Sequence, residues 1–513
     1  LVELTKIHLT NATSSFDIDS VNLKAIGTGL TRSMNIESDI FDASIKGQYD
    51  LNTLPSYFKS VASKYIPSLG LNYVKPGKQD FEFNLNIKYF EPLSILFAPK
   101  LKIPEQANFN GKFVSDSNTA NLNGFIKLIQ FNKIKVNNLI IDESTSEEAM
   151  NIFITSDRVD ITDSLYIKNV NIANILQNDS LSLNVKLSDK DAINQLDLNS
   201  LVEFTSNGDQ RIQLSILPSD VIINNETWKI QEKVSFSFDD GRTKDQEFSL
   251  LRRTKITGFE LFRDNQMLTI NGYISKDPAD VLLIGFNNFK LTTFNPLTTP
   301  LGITLKGTLN GNAKLAGLGP SPNVEAEIRI DSLNYNKLAV GNMTLSAGLD
   351  NSTKLINVKM NVESNGETTM DIAGTYNASD DQNSLDMKLI MKDNEIALFQ
   401  TFLKNLVSNM NGKVSANLTV NGKLKNPQIN GSLDLKEGGL TANYLKTPYR
   451  ITDKVEVENT VIKLNNLKIR DHKDNIAIAN GTVDMANVNN PEIHINIVAN
   501  KFMALNTTAK DNP

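Results

Sequence analysis

Apolar and polar residues alternate one for one along most of this chain, and that pattern leaves little freedom of fold. Side chains of a strand point to opposite faces with period two, so alternation specifies one greasy face and one wet face. Phe81-Glu82-Phe83-Asn84-Leu85-Asn86-Ile87 alternates in this way. So do Leu181-Ser182-Leu183-Asn184-Val185-Lys186-Leu187, Ile212-Gln213-Leu214-Ser215-Ile216, Leu385-Asp386-Met387-Lys388-Leu389 and Ile493-His494-Ile495-Asn496-Ile497. Asn-Gly and Asp-Gly pairs punctuate the chain, beginning at Asn110, Asn123, Asn207, Asp240, Asn271, Asn310, Asn411, Asn421, Asn430 and Asn480. Such pairs favour tight hairpin turns with positive φ, and some also suit bulges inside strands. The expected fold is all-β, an elongated and mainly antiparallel meander.

Two short segments follow another period. Leu54, Tyr57, Phe58, Val61 and Tyr65 fall at helical spacing, with Pro55 opening the first turn. Ile396, Phe399, Phe402, Leu403 and Leu406 do the same after Asp393, which suits an N-cap. Both predict short amphipathic helices lying against the sheet, capping its apolar face or docking a membrane surface or partner.

Composition removes several classes of function. With 513 residues the chain exceeds what one compact core usually serves. It holds no Cys, which excludes disulfides, thiol catalysis and Cys-ligated metals. Its 52 basic and 58 acidic residues are well mixed, so nucleic acid is not an expected partner. The three histidines, His8, His472 and His494, are scattered. His472 sits in Asp471-His472-Lys473-Asp474, which reads as a polar turn rather than a metal site, and His494 lies on the polar phase of its strand. Asp239-Asp240-Gly241 reads as a hairpin turn rather than a catalytic carboxylate pair, and Gly317-Leu318-Gly319-Pro320 is too short for a phosphate loop. Trp228, the single Trp, is expected to pack within a strand. No enzyme, cofactor or metal is expected. A single Trp and the lack of aromatic girdles argue against a transmembrane barrel.

The chain also repeats itself at a shift of about 105 residues. Gly307, Leu315, Gly317 and Pro322 then fall on Gly412, Val420, Gly422 and Pro427. Val324, Ala326, Ile328 and Ile330 fall on Ile429, Gly431, Leu433 and Leu435. A fainter echo joins Gly272 and Phe289-Lys290-Leu291 to Gly481 and Phe502-Met503-Ala504-Leu505. Three stretches are expected: 1–250 as an N-terminal part of the sheet, 251–405 as one repeat unit and 406–513 as a second.

Between Gly412 and Thr507 the residues resemble the TamB family of the AsmA-like superfamily. The run Gly412, Gly422, Pro427 and Gly431-Ser432-Leu433 looks like that family's strand–Gly–Pro–strand signature. Tyr449-Arg450, Ile462-Lys463-Leu464-Asn465-Asn466-Leu467, Asp471, Ala477-Ile478-Ala479-Asn480-Gly481 and Phe502-Met503-Ala504-Leu505-Asn506 follow in an order similar to the segment before the family's C-terminal domain. The stretch from Asp220 to Ile230 resembles Bacteroidetes-type versions. The resemblance covers 210–513 well and the first part by pattern. It implies a U-shaped β-groove, open along one side, that spans the periplasm between inner and outer membrane and moves phospholipids. It also implies assistance to a BamA/TamA-like barrel in outer-membrane protein assembly. Because the chain starts at Leu1, an upstream part is expected, with the family's N-terminal inner-membrane anchor and C-terminal barrel-binding domain both outside this stretch.

Elementary energetics lead toward the same picture. A sheet with one apolar face covers it with a second sheet, closes into a barrel, or leaves a trough that fits acyl chains. The lining expected to touch lipid comes from the apolar phase of the strands. It comprises Phe83, Leu85, Ile87, Leu183, Val185, Leu309, Leu315, Ile328, Ile330, Met387, Leu389, Val414, Leu418, Val420, Leu433, Leu435, Ile462, Leu464, Ile493, Ile495 and Ile497. Ordinary sheet core is the competing reading for each of them. A scaffold that holds unfolded barrel strands by β-augmentation is the alternative function; a surface adhesin or carbohydrate-acting enzyme lacks a supporting motif.

Overall fold

The turns are made by short, polar two-residue loops in which asparagine takes the left-handed conformation. Asn178-Asp179, Asn224-Asn225 and Asn459-Thr460 each have positive φ at both residues and join neighbouring strands. Asparagine tolerates this region because its short side chain bonds locally. The computed structural model describes all residues except 11–14, 29–31, 73–76, 93, 95–97, 99, 118, 163–165, 190, 205–211, 239–252, 320–321, 351, 381, 488–490 and 508–513. The described residues form 32 strands and a few short helices, and they divide into two units, Leu1–Arg263 and Asp264–Pro513. The strand pairings of the described residues are antiparallel, so the all-β antiparallel expectation holds.

In the first unit a meander runs from Val2–Thr10 to Gln195–Phe204, with long strands such as Thr119–Phe131, Ile134–Thr145 and Met150–Asp160. Beyond it the strands break in two. Gln195–Phe204 pairs through Ser200–Phe204 with Ile212–Ile216 and through Gln195–Asp197 with Ser219–Ile223. Leu217-Pro218 makes that break, since proline cannot donate to a ladder. Glu226–Ile230 and Val234–Phe238 continue the pattern. Trp228 is fully buried there, opposite Val221.

The second unit is a simpler meander of fourteen strands, from Gln266–Ser275 to Glu492–Ala499, each antiparallel to the next. The 105-residue repeat extends to details of its backbone. Asn288 and Asp393 both have φ near 47° (47 and 46) and both sit at a register shift. The backbone N–H of Asn288 donates to Asn310 Oδ1 at 2.8 Å, and that of Asp393 to Ser415 Oγ at 3.1 Å. Helical segments follow each bulge at equivalent places, Leu291–Leu301 in three short pieces and Ile396–Leu403 in two. Asn295 Oδ1 accepts from the N–H of Leu305, as Gln400 Oε1 does from that of Met410.

Two sequence expectations need correction. Eight of the nine described Asn-Gly pairs lie inside strands, for example Asn310-Gly311 in Leu305–Ala316 and Asn480-Gly481 in Ile476–Asp484; Asn365-Gly366 alone among them forms a hairpin turn, between Ile356–Ser364 and Glu367–Tyr376, with φ of 53° and 82°. Most of the strand glycines sit where neighbouring strands approach too closely for a side chain: a Cβ on Gly311 would lie 2.0 Å from the Glu327 carbonyl oxygen. Asn207-Gly208 and Asp240-Gly241 lie outside the described residues. Asp393 is not an N-cap either; the helical segment starts after Glu395 without a side-chain cap, and Asp393 belongs to the bulge.

Candidate functional site

Because the strands are paired in register, the apolar phase of each lines up with that of the next. In the second unit one row runs Leu268, Phe286, Gly311, Ile328, Leu345, Met360, Ile372, Leu389, Leu418, Gly431, Val457, Ile462, Val483 and Ile493. It crosses all fourteen strands without a polar residue. A second row, Phe289, Leu309, Ile330, Met343, Val362, Met370, Met391, Ala416, Leu433 and Val455, lies beside it. A third contains Met387, Val420 and Ile429. The opposite phase is wet: Asn310, Arg329, Thr344, Asn361 and Asp371 form one row, which reaches Lys463, Thr482 and His494. His494 is therefore on the polar face.

The first unit has its own apolar row, from Val2 and Leu23 through Ile36, Ala43, Leu85, Phe109, Gly124, Ile141, Ile154, Ile172 and Val185 to Leu198. The row beside it does contain polar groups: Phe83, Gly111, Leu122, Glu143, Ile152, Asn174, Leu183 and Ser200.

Each lining residue read from the sequence thus lies on the apolar phase of its own unit. Ile87, Leu309, Ile330, Val414, Leu418 and Leu464 are buried. Phe83, Leu85, Leu183, Val185, Leu315, Ile328, Met387, Leu389, Val420, Leu433, Leu435 and Ile462 are half-buried. Ile493, Ile495 and Ile497 are exposed, at 56%, 38% and 50%. The chain exposes 29695 Å² in all. Two separate compact proteins of half its mass would together expose roughly 22,000 Å². Much of its surface is therefore not folded against protein.

Helical segments cover part of each face. In the second unit Ile396, Phe399 and Leu403 pack on Met391, Met410, Val414 and Leu435. In the first, the helix Leu54–Tyr65 places Tyr57 on Phe81 and Phe113. Its N-terminal end is held by Gln79, a fully buried side chain. Gln79 Nε2 donates to the Asp50 carbonyl and to Thr53 Oγ1, and Gln79 Oε1 accepts from the Asp50 N–H. Its C-terminal end is held by Tyr65 Oη, which donates to the Ser146 carbonyl at 2.6 Å, and by the Asp179 N–H bonding the Tyr65 carbonyl. Beside this helix the apolar face holds a hollow of about 390 Å³, lined by Leu54, Phe58, Phe81, Phe83, Phe113 and Leu122 among others. Asparagine and serine side chains of the polar phase, among them Asn35, Ser44, Asn84 and Asn110, line a larger hollow of about 860 Å³.

Two carboxyls stand apart from the surface charges. Burial, with Asp142 adding, pushes Glu143 up to about 7. Burial would also raise Asp471, but hydrogen bonds from the Asn475 amide and from the N–H groups of Met503, Lys473 and Asn475 hold it well below the usual carboxylate range. The segment Asp471–Asp474 is a polar turn between strands, and Asp471 ties it to the segment around Phe502, whose ring stacks on Tyr449. Sequence reasoning passed over Glu143. Its phase, two residues after Ile141 in an alternating strand, was the available signal.

Among the described residues no helix is long and apolar enough to cross a membrane. No curated protein and no solved structure matches the chain. Residues 264–435 match the family model of the TamB N-terminal domain. The match opens at the first residue of the second unit and takes in both copies of the repeat. It overlaps the strongest sequence resemblance only over 412–435, because the Gly and apolar pattern recurs in both copies. With that match, the fourteen-strand meander and the in-register apolar rows, residues 264–435 form a TamB N-terminal domain.

Proposed function

We propose that this chain conducts phospholipids across the periplasm, between inner and outer membrane, along the apolar face of its sheet. A TamB-family member works in the cell envelope, in lipid transport or in assembly, and not as an enzyme. The observation that favours transport is the unbroken row from Leu268 to Ile493. Moving one sixteen-carbon chain into water costs on the order of 12 kcal/mol, at about 0.8 kcal/mol per methylene. A run of apolar side chains in register offers each methylene an apolar neighbour at every strand spacing, about 4.8 Å. No step along it calls for a cofactor or an energy source; chains move down a gradient set elsewhere. The charged headgroup stays in water. In this reading other parts of the protein engage the inner membrane and a BamA/TamA-like barrel.

Photo-crosslinking in cells tests the proposal. A photoreactive residue at Leu433 or Ile495 is expected to capture phospholipid, whereas one at Asp434 or His494, on the opposite phase, is not. Equal labelling of both pairs overturns the conduit. Capture of unfolded barrel strands at Leu433 in place of lipid favours the assembly role.

A further inference from the structure

Of the polar groups that interrupt the apolar face of the first unit, Glu143 is the one that carries an ionisable group. Glu143 is the register partner of Leu122 on one side and Ile152 on the other, so its side chain issues from the apolar phase. Glu143 Oε1 is buried and finds no hydrogen-bond partner among the described residues. The Tyr57 hydroxyl, on the helix that covers this face, is likewise buried and unpartnered, on a side chain only 1% exposed. The charge of Glu143 is felt at that hydroxyl, as is Tyr65. Leaving a buried acceptor and a buried donor unpaired costs about 1–3 kcal/mol each.

The surroundings give the pair a direction. The 390 Å³ hollow is lined by Leu54 and Phe58, which flank Tyr57 along the helix, and by Leu122, which faces Glu143 across the strands. The chamber's wall thus includes the helix neighbours of Tyr57 and the strand partner of Glu143, with the two unpartnered polar atoms buried behind it. Phe83, Phe81 and Phe113 wall the chamber with aromatic rings, Phe83 and Phe113 stacked at 5.8 Å. Resting on the reading of this face as an acyl-chain surface, we infer that Tyr57 and Glu143 form a binding station for an acyl lipid whose chain occupies the hollow and whose uncharged hydroxyl or ester group bonds the pair. A hydroxyl donates to Glu143 and accepts from Tyr57, and an ester carbonyl accepts from Tyr57 and from a protonated Glu143. Burial keeps that carboxyl available as a donor near neutrality. Burying a charged group here would carry a high desolvation cost, and the Lys64 ammonium in the helix's last turn is held on the Ser146 carbonyl.

The test uses the full chain and two probes, 1-monooleoylglycerol and octadecene, with bound probe measured at equilibrium. Wild type is expected to bind both. Tyr57→Phe and Glu143→Leu are expected to lose about tenfold in affinity for monooleoylglycerol and nothing for octadecene. Glu143→Gln, which keeps a donor and an acceptor, stays within about threefold. Thermal unfolding separates binding from folding. Glu143→Leu removes an unpaired buried carboxyl and is expected to raise the unfolding temperature while it lowers monooleoylglycerol binding. Monooleoylglycerol held equally by wild type, Tyr57→Phe and Glu143→Leu overturns the station but leaves the acyl surface standing. Failure of wild type to hold either probe overturns the acyl surface itself.

Discussion

The two units solve the same problem with different backbones. The second crosses fourteen strands with apolar rows free of polar residues and covers them with short helical segments placed by the repeat. The first uses one twelve-residue helix, pinned at both ends, and admits Glu143, Asn174 and Ser200 into a row of its apolar face. Glycine allows close strand approach in both units: Gly47 of the first has φ of 124°, and a Cβ there would lie 2.2 Å from the Asp80 carbonyl oxygen. In the second unit Gly311 and Gly481 have φ of 127° and 140°, and a Cβ there would meet partner carbonyl oxygens at 2.0 and 1.9 Å. A gentler glycine site of the first unit is Gly124, where a Cβ would press on the ring of Phe109, at 2.8 Å, and on no backbone. Repetition favours one uniform surface; the irregular unit has room for a specific site.

The largest effect should come from the contrast between these two kinds of glycine site. Gly311→Ala sets a Cβ against the Glu327–Ile328 backbone of the neighbouring strand and asks alanine for a left-handed φ. It is expected to cost about 3 kcal/mol or more. Gly124→Ala displaces an aromatic ring that can turn aside and is expected to cost about 1 kcal/mol. Chemical denaturation of both variants, followed by circular dichroism, checks the order. Equal costs would mean that backbone contact at Gly311 is no tighter than ring contact at Gly124.

A smaller effect sharpens the contrast between the helical covers. Gln79→Ala strips three hydrogen bonds from a fully buried position and leaves Asp50 and Thr53 groups unpaired, for an expected loss of about 2–3 kcal/mol. Asn295→Ala and Gln400→Ala each remove the side-chain acceptor of one strand N–H, and each should cost about 1 kcal/mol. Near-equality of the last two is itself a prediction of the repeat. A twofold difference between them would show that the two copies carry different loads.

These contrasts also show how far the sequence could be read. Strict alternation settles the strands and their apolar phase, because a one-residue slip would turn every side chain to the wrong face. Leu389, Leu418 and Ile462 could be placed on one face from that rule alone. Asn-Gly misled because its usual meaning belongs to turns, as at Asn365-Gly366, whereas in most of the other described pairs the glycine relieves a close approach within the sheet. The abundance of asparagine, set aside on the sequence, has a structural use: twelve of the twenty-four described non-glycine residues with positive φ are Asn. They sit in turns and at bulges, where propensity is local but position depends on the neighbouring strand. The segment Leu291–Leu301 escaped notice because Pro296 and Pro300 interrupt its period and Leu297 and Leu301 are exposed. The copy at Ile396–Leu403, shifted back by the repeat, would have revealed it. Glu143 escaped because a carboxylate at a strand end ordinarily means solvent.

The smallest expected effect separates the units by pH. Glu143 titrates near 7 when folded against about 4.5 when unfolded, so its contribution is fully present below about 4.5 and is lost as pH rises through 7. Asp471 is shifted the other way: its contribution is present above its unfolded value of 3.8 and is lost as pH falls below that. Between pH 5 and 7.5 the first unit alone should therefore weaken through these two groups. Trp228 is the only Trp in the chain and lies in the first unit, so its fluorescence follows that unit. Its unfolding temperature is expected to fall by about 2–4 °C over that range, and Glu143→Gln should flatten the slope. Asp471→Asn should leave the Trp228 transition where it is and lower the transition seen by circular dichroism in the second unit. If the Trp228 slope survives Glu143→Gln, the carboxyl in the apolar row is not the group that distinguishes the two faces.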